Sequence, residues 1–309
     1  MTMVSPTTSR AASQLDTRRL MRWHQMHGRH ELPWRQTTDR YAVLVSEVML
    51  QQTQVARVVP YWLAWMDRWP TVATLAAENR AEVIRAWSGL GYNNRAVRLH
   101  EAAQICIARH GGDIPASELE LRTLPGVGLY TANAVLCFSG TANTIPLDTN
   151  IARVLARTLS GVAQPRAVGA RQLGELAGAM APGRDARRYA AALMDLGATV
   201  CTASSPNCLS CPLAASCAWR DLGHPEPGHV QTRMPRFEDT ARWARGRIVD
   251  RLRKGPATEV ELGCALPERH RQHFADYLDA LARDGLIERN GNFVSLAGDQ
   301  TMSIASPKL

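Results

Sequence analysis

Apolar positions recur along most of the chain with the spacing of α-helices. In 150–159, NIARVLARTL, four apolar side chains fall on one helical face, and Arg153 and Arg157 fall on the other. Similar patterns run through 40–50, 94–110 and 187–200. Short segments rich in glycine and proline separate these helices. The strand-poor pattern predicts an all-α fold, built as a helical bundle or array.

The pattern changes near the C-terminus. Residues 221–238 are rich in proline and glycine and predict a linker. Residues 239–298 predict a smaller unit of three helices and two short strands around Asn290-Gly291, the order of elements in a winged helix. Winged helices bind DNA or other proteins, so this unit alone does not choose a function. The ends, 1–19 and 299–309, are expected to be tails.

The charge of the chain favours a polyanionic partner. The 309 residues carry a formal net charge of +8, which suits nucleic acid, with a solvated basic surface as the alternative. Only Lys254 and Lys308 are lysines, so nearly all cationic side chains are arginines, whose planar fork suits phosphate. Hydrophobic residues make up 45%, which excludes a disordered chain.

Neither a membrane span nor a secretory signal is visible in the sequence. We therefore expect a cytoplasmic protein, associated with the nucleoid through DNA and without a membrane partner. The short, polar, acid-poor N-terminus leaves a mitochondrial transit peptide as the alternative. Cysteines in this compartment stay reduced.

Four cysteines fall within seventeen residues, with six, two and five residues between them. They are Cys201, Cys208, Cys211 and Cys217. In a reduced compartment such a group is typical of a metal site rather than of two disulfides. The single CxxC pair favours a [4Fe–4S] cluster, and structural zinc is the alternative. Cys106, Cys137 and Cys264 stand singly and are expected to fill cores.

The segment 124–128, LPGVG, predicts a tight turn before a helix. Gly126 and Gly128 let the backbone around Val127 expose successive N–H groups beside a helix N-terminus, which makes an anion site for phosphate. Asp148, about twenty residues later, precedes the helix of 150–159. It is an N-cap, a carboxylate at the mouth of a pocket, or both.

Glu47 interrupts the apolar run of 42–50. It is either a surface residue or a partly buried acid, and burial would make it a proton donor near neutral pH. A protonated and an ionised carboxyl group together suit cleavage through an oxocarbenium-like state. The bond cleaved joins a sugar either to another sugar or to a nucleobase.

Taken together, six motifs resemble the adenine DNA glycosylases (MutY family) of the helix-hairpin-helix, iron–sulfur superfamily. They are LPWR at 32–35, SEVMLQQTQV at 46–55, GLGY at 89–92, LPGVGLYTA at 124–132, LDTN at 147–150 and the four cysteines. The resemblance covers 20–220 and implies two helical lobes. A hairpin-bearing lobe would span 37–150, and an iron–sulfur lobe would join 20–36 to 151–220. It also implies that a base is flipped out of double-stranded DNA.

The resemblance implies a role for each residue of the site. Glu47 would protonate adenine at N7 and position water, and Asp148 would stabilise the sugar cation. Asn150 would orient the acid or the water, and Tyr130 would line the pocket. Trp34 and Arg35 would shape the base pocket, and Gln51 and Thr53 would enter the gap or read the opposite base. Gln52 would also contact DNA, Tyr92 would wedge into the stack, and Gly126, Val127 and Gly128 would hold a phosphate.

Residue 130 separates two reaction types. Relatives resembling endonuclease III place a strand-cleaving lysine there, but a phenol cannot form a Schiff base and residues 1–253 contain no lysine. We therefore expect a monofunctional enzyme of base excision repair without strong AP-lyase activity. Tyrosine also occurs at this position in a related group that removes thymine from T:G mismatches, but Glu47 favours adenine opposite 8-oxoguanine or guanine, because departure of a purine benefits from protonation at N7. We expect the enzyme to act as a monomer. The alternatives are a thymine or uracil glycosylase for T:G or U:G mismatches and a non-catalytic DNA-binding iron–sulfur regulator.

Three departures from the family weaken the prediction of the opposite base. The usual C-terminal domain that reads oxidised guanine is replaced by the short region 239–298. GLGYNNRA has asparagines where another aromatic residue is frequent. LDTN has threonine where glycine is common.

Overall fold

The computed structural model describes residues 16–179, 186–225 and 236–299. Within these ranges nearly all regular structure is helical, which confirms the all-α fold class. No helix in the described ranges is long and apolar enough to cross a bilayer. The predicted tails lie almost wholly outside the described residues, as does the middle of the predicted linker.

The helices alternate with short turns along the chain. The first eight are α1 Thr17–His27, α2 Arg40–Leu50, α3 Val55–Arg68, α4 Val72–Ala77, α5 Arg80–Ala86, α6 Asn94–Arg109, α7 Glu118–Leu121 and α8 Leu129–Phe138. They are followed by α9 Thr149–Ser160, α10 Ala170–Ala179, α11 Ala186–Thr199, α12 Ala218–Asp221, α13 Ala241–Leu252, α14 Glu259–Cys264, α15 Glu268–Arg271 and α16 Phe274–Arg283. The strands are β1 Ala257–Thr258, β2 Ile287–Asn290 and β3 Phe293–Leu296.

One compact unit contains the described parts of 1–47 and 127–231, together with Ala116–Arg122. Its core lies between α9 and α11, and α1 and α8 also pack on α11. Leu155 and Leu193 are fully buried there, and each such side chain stabilises the fold by about 1.5–3 kcal/mol.

The arginines of α9 depart from the sequence pattern. The spacing places Arg153 and Arg157 on the face opposite the apolar side chains, yet this face is also buried, because the two arginines are only 9% and 2% exposed. Arg153 donates to the carbonyls of Gly197 at 2.6 Å and Cys201 at 2.8 Å, and Arg157 donates to that of Thr202 at 2.7 Å. Backbone carbonyls satisfy the guanidinium groups, so both faces of α9 can be buried.

A second compact unit contains residues 48–115, Thr123–Gly126 and the described part of 232–309. Helix α4 packs on α6, and α13 packs on α16. The strands form an antiparallel sheet of order β1-β3-β2. The predicted hairpin is present, but Asn290 pairs with Phe293, so the two turn residues are Gly291 and Asn292 rather than Asn290 and Gly291, and Gly291 has φ 59°.

The region 239–298 shares its core with earlier helices. Ile84 of α5 and Val97 of α6 belong to the same buried cluster as Ile248, Leu278 and Leu296. The region, which lies within the described residues, contains four helices rather than the three predicted, because the short helix α15 is separate from α16, which begins at Phe274. The winged-helix assignment stays a prediction.

Candidate active site

Glu47 lies on α2, a helix with apolar side chains buried on both faces. Its side chain is buried, at 6% exposure, which decides against the surface alternative. The pKa of Glu47 is raised from its ordinary 4.5 to about 7. Burial is the largest cause and raises the pKa, and the charge of Asp148 raises it further. The hydrogen bond from Tyr130 and the charge of Arg35 act in the opposite direction and lower it. The carboxyl group can therefore gain or lose a proton near neutral pH.

Tyr130, on α8, contacts Glu47 directly. Its hydroxyl donates a hydrogen bond of 2.9 Å to Oε2 of Glu47. Burial and the nearby charge of Glu47 raise the pKa of Tyr130 above its ordinary value, so the phenol remains a donor. Cys137 lies two turns further along α8 and is fully buried, and burial together with Glu47 raises its pKa to about 12. This thiol is therefore a neutral part of the core, as predicted.

Asp148 is the N-cap of α9. Its Oδ1 accepts from the backbone N–H of Ile151 at 2.6 Å, and its Oδ2 accepts from the side-chain amide of Asn150 at 2.9 Å. Burial raises the pKa of Asp148, while these two hydrogen bonds lower it. The cap is confirmed, and because its charge also acts on Glu47, the same carboxylate lies near the acid.

Hydrogen bonds continue from Asp148 to the cysteine-rich segment. Arg153 donates from Nη2 to Oδ1 of Asn150 at 2.8 Å and from Nε to the carbonyl of Cys201 at 2.8 Å. A Cβ atom at Gly197 would lie 2.6 Å from Cβ of Asn150, so this close approach of α11 to α9 requires glycine. Sequence reasoning missed this link, because the helical pattern shows on which face Arg153 lies but not which segment packs against that face.

The four clustered cysteines line one pocket, together with Trp219 and Arg220. Arg157 donates from Nη1 to Sγ of Cys201 at 3.4 Å. Burial raises the pKa of Cys211 to about 11. Among the residues described, no group of three or more His, Cys, Asp or Glu side chains is arranged to hold a single metal ion. The four thiols could hold a larger group that binds through sulfur.

Of the remaining cysteines, one is buried and one is exposed. Cys106 is buried, as predicted, but Cys264 is exposed at the end of α14, so its expected place in a core is wrong. A six-residue helix at the surface leaves its last side chain outside the core.

Asp195, on α11, is a fully buried acid that sequence reasoning missed. Arg35 grips it with both amino groups, Nη1 to Oδ2 at 2.7 Å and Nη2 to Oδ1 at 2.9 Å. Arg29 donates from Nε to Oδ1 at 2.7 Å, and His24 lies 3.2 Å from Oδ2. Burial alone would raise the pKa of Asp195, but these partners hold it below its ordinary value. An acid inside the apolar stretch 190–196 was the available signal.

The ion pair with Asp195 holds Arg35, one of the two residues predicted to line the base pocket, in position. Trp34 and Arg35 form a short 3-10 helix, Pro33–Arg35, in which Trp34 is buried. The charge of Arg35 also lowers the pKa of Glu47. Arg35 thus acts on the acid from a position held by Asp195.

In the turn 124–128, the two glycines differ. Gly126 has φ +78°, and a Cβ atom there would lie 3.2 Å from Cβ of Arg98, so glycine is required. Gly128 is extended and caps α8, and a Cβ atom there would meet nothing within 4 Å. Val127 between them is buried. The helix N-terminus behind Gly128 is suited to phosphate.

In the second unit, Arg95 holds the predicted DNA-contacting turns. Its buried guanidinium donates to the carbonyls of Gln51 at 2.8 Å and Gly91 at 2.9 Å and to Oγ1 of Thr53 at 3.2 Å. Burial lowers the pKa of Arg95 to about 10. Gln52 and Tyr92 both adopt left-handed backbone angles, φ 55° and 46°, and the Tyr92 hydroxyl donates to Oε1 of Gln52. Sequence reasoning did not single out Arg95.

Comparison with known proteins shows the family to which this fold belongs. Residues 45–176 match the model of the HhH-GPD superfamily base excision DNA repair proteins. The solved structure of a thermostable thymine-DNA glycosylase is 25% identical, with a TM-score of 0.63, over 70% of this chain and 99% of that one. Fold and site together define a helix-hairpin-helix DNA glycosylase of base excision repair, a hydrolase acting on N-glycosyl bonds.

Two named relatives narrow the family. An adenine DNA glycosylase of Mycolicibacterium smegmatis is 44% identical over 286 residues, which is 91% of this chain and 95% of that protein. The human adenine DNA glycosylase is 40% identical over 211 residues, 65% of this chain and 38% of the human protein. The chain belongs to the adenine DNA glycosylase family, as the six motifs indicate. The M. smegmatis match is too long to leave out all of 239–298.

Proposed function

We propose that this protein hydrolyses the N-glycosidic bond of adenine mispaired with 8-oxoguanine or guanine in double-stranded DNA. The observation that carries the proposal is the buried Glu47, with a pKa near 7 and one oxygen held by Tyr130. The relatives named adenine DNA glycosylases support adenine as the base. We also propose that it acts as a monomer in the cytoplasm, on DNA of the nucleoid.

In the proposed reaction, protonated Glu47 gives its proton to N7 of the extruded adenine while the bond to C1′ breaks. Tyr130 occupies Oε2, which leaves Oε1 to carry that proton. Ionised Asp148 stabilises the positive sugar, and its hydrogen bonds from Ile151 and Asn150 favour the ionised form. Water then adds to C1′, and its proton returns to the Glu47 carboxylate.

We further propose that the strand stays intact. Strand cleavage by β-elimination needs an amine that forms a Schiff base with the sugar. Residue 130 supplies a phenol, and residues 1–253 contain no lysine. Sodium borohydride should therefore trap no covalent complex of enzyme and DNA under conditions in which adenine is released.

Cys201, Cys208, Cys211 and Cys217 are proposed to hold a [4Fe–4S] cluster. They line one pocket, and the guanidinium of Arg157 lies against the Cys201 sulfur, which suits negatively charged sulfur ligands. When bound, the cluster would fix the segment 201–217 without entering the chemistry. Iron and acid-labile sulfide analysis should find four of each per chain, with visible absorbance. A colourless protein with one zinc per chain would reject the cluster.

The substrate is tested by single-turnover assays on duplexes with one central pair: A opposite 8-oxoguanine, A:G, T:G, U:G or an oxidised pyrimidine opposite G. Each sample is divided, and one half receives hot alkali. Cleavage of the adenine strand only after alkali is expected. Alkali-dependent cleavage at thymine or uracil would show that one of these bases, and not adenine, is the substrate. Strand breaks without alkali would contradict the monofunctional reaction.

A further inference from the structure

A wide groove lies within the second unit, between the turn of residues 89–94 and helix α13. The groove is open to solvent, and its empty space, which includes that solvent, is ≈ 1400 Å³. An open surface groove, unlike an enclosed cavity, is accessible to part of a macromolecule.

The groove carries an excess of positive charge. Its charged lining comprises Arg57, Arg242, Arg245, Arg247, Arg253, Asp250 and Asp284. Asp250 pairs with Arg253, and Asp284 lies 3.8 Å from Arg245. Among the described residues, Arg57, Arg242 and Arg247 have no ion-pair partner. Three uncompensated guanidinium groups along an open groove are suited to a row of phosphates.

Arg242 of α13 contacts Tyr92, the residue expected to wedge into the DNA stack. Its guanidinium carbon lies 4.7 Å from the centre of the Tyr92 ring and 4.8 Å from that of Phe237, and Nη1 donates to the Tyr92 hydroxyl. The same hydroxyl donates to Gln52. A helix of the C-terminal region therefore orients a side chain of the expected DNA-reading turn.

Helix α13, which forms one side of the groove, is held by contacts with residues that come earlier in the chain. Arg253, at the end of α13, donates to the carbonyl of Ile84 at 3.2 Å and to Oδ1 of Asn93 at 2.9 Å. Arg85 of α5 pairs with Asp299 at 2.6 Å. Together with the shared apolar core, these contacts hold α13 in place across from residues 89–94.

We propose that this groove binds the sugar–phosphate backbone of duplex DNA beside the point where Tyr92 enters. Arg57 and Arg247 contact phosphates, and Arg242 is a positioning residue for Tyr92. Region 236–299 is then part of the DNA-binding surface rather than a docking module for another protein. The inference rests on the proposed function for its DNA substrate.

The phosphate contacts are tested by the salt dependence of duplex binding. Removing one arginine that binds a phosphate lowers the slope of log K against log salt by about 0.9, so Arg57→Ala with Arg247→Ala should lower it by about 1.8. The matched control is Arg171→Ala with Arg283→Ala, two exposed arginines outside the groove, which should keep the wild-type slope. A groove variant with the wild-type slope and affinity would overturn the proposal. If the wild-type enzyme binds duplexes but releases no adenine, the proposed function is wrong. The salt dependence of binding still tests whether the groove contacts phosphates, because it does not require release of a base.

The role of Arg242 is tested by a double-mutant cycle on adenine release under single turnover. Arg242→Ala should slow release about tenfold in the wild-type background and have no effect in the Tyr92→Ala background. Arg242→Lys should restore part of the rate, and the melting temperature should not change. Equal losses in both backgrounds, or no loss in either, would show that Arg242 does not act through Tyr92.

Discussion

The hydroxyl of Tyr130 donates a hydrogen bond of 2.9 Å to Oε2 of Glu47. This contact joins the buried acid of α2 to the helix that follows the glycine turn. It occupies one carboxyl oxygen, and it lowers the pKa of Glu47 from the value that burial alone would give. One phenol thus orients the carboxyl group that is proposed as the proton donor and lowers the pKa at which this group titrates.

The rate of adenine release should fall as pH rises through about 7, because Glu47 must carry a proton and its pKa lies there. Tyr130→Phe removes the hydrogen bond that lowers this pKa, so the fall should move to higher pH. Single-turnover rates from pH 5.5 to 9 measure both profiles. Tyr277→Phe, which removes a hydroxyl bonded to His270, is the control and should keep the wild-type profile.

Glu47→Gln should stabilise the protein more at pH 8.5 than at pH 5. The folded pKa of about 7 exceeds the ordinary 4.5, so the protonated form favours folding and this contribution is lost as pH rises through 7. The difference between the two pH values should be about 3 kcal/mol in the free energy of unfolding. Urea unfolding measures it, with the exposed Glu268→Gln as control. A pH-independent effect of Glu47→Gln would contradict the burial argument.

Arg153→Met should destabilise the fold by about 2–4 kcal/mol, because it leaves buried carbonyls of Gly197 and Cys201 without donors. It should also slow adenine release, since Asn150 loses the partner that orients it toward Asp148. Urea unfolding and single-turnover rates test both effects. Arg171→Met, on the exposed face of α10, should change the stability by less than about 0.5 kcal/mol.

Asp195→Asn should cost about 3–5 kcal/mol of stability at pH 7, because Arg29 and Arg35 lose the charge that they share. The pKa of Asp195 lies below its ordinary 3.8, so its stabilising effect is present above pH 3.8 and is lost as pH falls further. The gap between wild type and variant should therefore narrow in acid. Denaturant unfolding at pH 7 and pH 3 tests this, with the exposed Asp276→Asn as control.

Local signals drew attention to the two acids that are proposed to carry the chemistry, Glu47 and Asp148. Glu47 and Asp195 both stand as single acids in apolar stretches, and only Glu47 also lay in a motif that directed attention to it. Asp148 could be placed because an N-cap is a short-range feature that follows from the helix after it. The hairpin of β2 and β3 was predictable for the same reason, although its two turn residues are Gly291 and Asn292.

Contacts between distant segments could not be predicted. Asp195 meets Arg35 across 160 positions, and Arg153 meets Cys201 across 48. A helical pattern of apolar and polar residues assigns an arginine to the polar face of the helix. The pattern gives no information about backbone carbonyls of another segment that can accept its hydrogen bonds. The role of Arg95 could not be predicted for the same reason, because its hydrogen-bond acceptors include backbone carbonyls of Val48, Gln51, Leu90 and Gly91.

The most direct test of the account is the rate of adenine release by Glu47→Gln from a duplex with A opposite 8-oxoguanine, measured under single turnover at pH 7. Glutamine keeps the shape and the acceptor for Tyr130 but cannot give up a proton to N7. The account predicts a rate at least about 100-fold below wild type, with duplex affinity unchanged and Glu268→Gln fully active. Release by Glu47→Gln at the wild-type rate would contradict it.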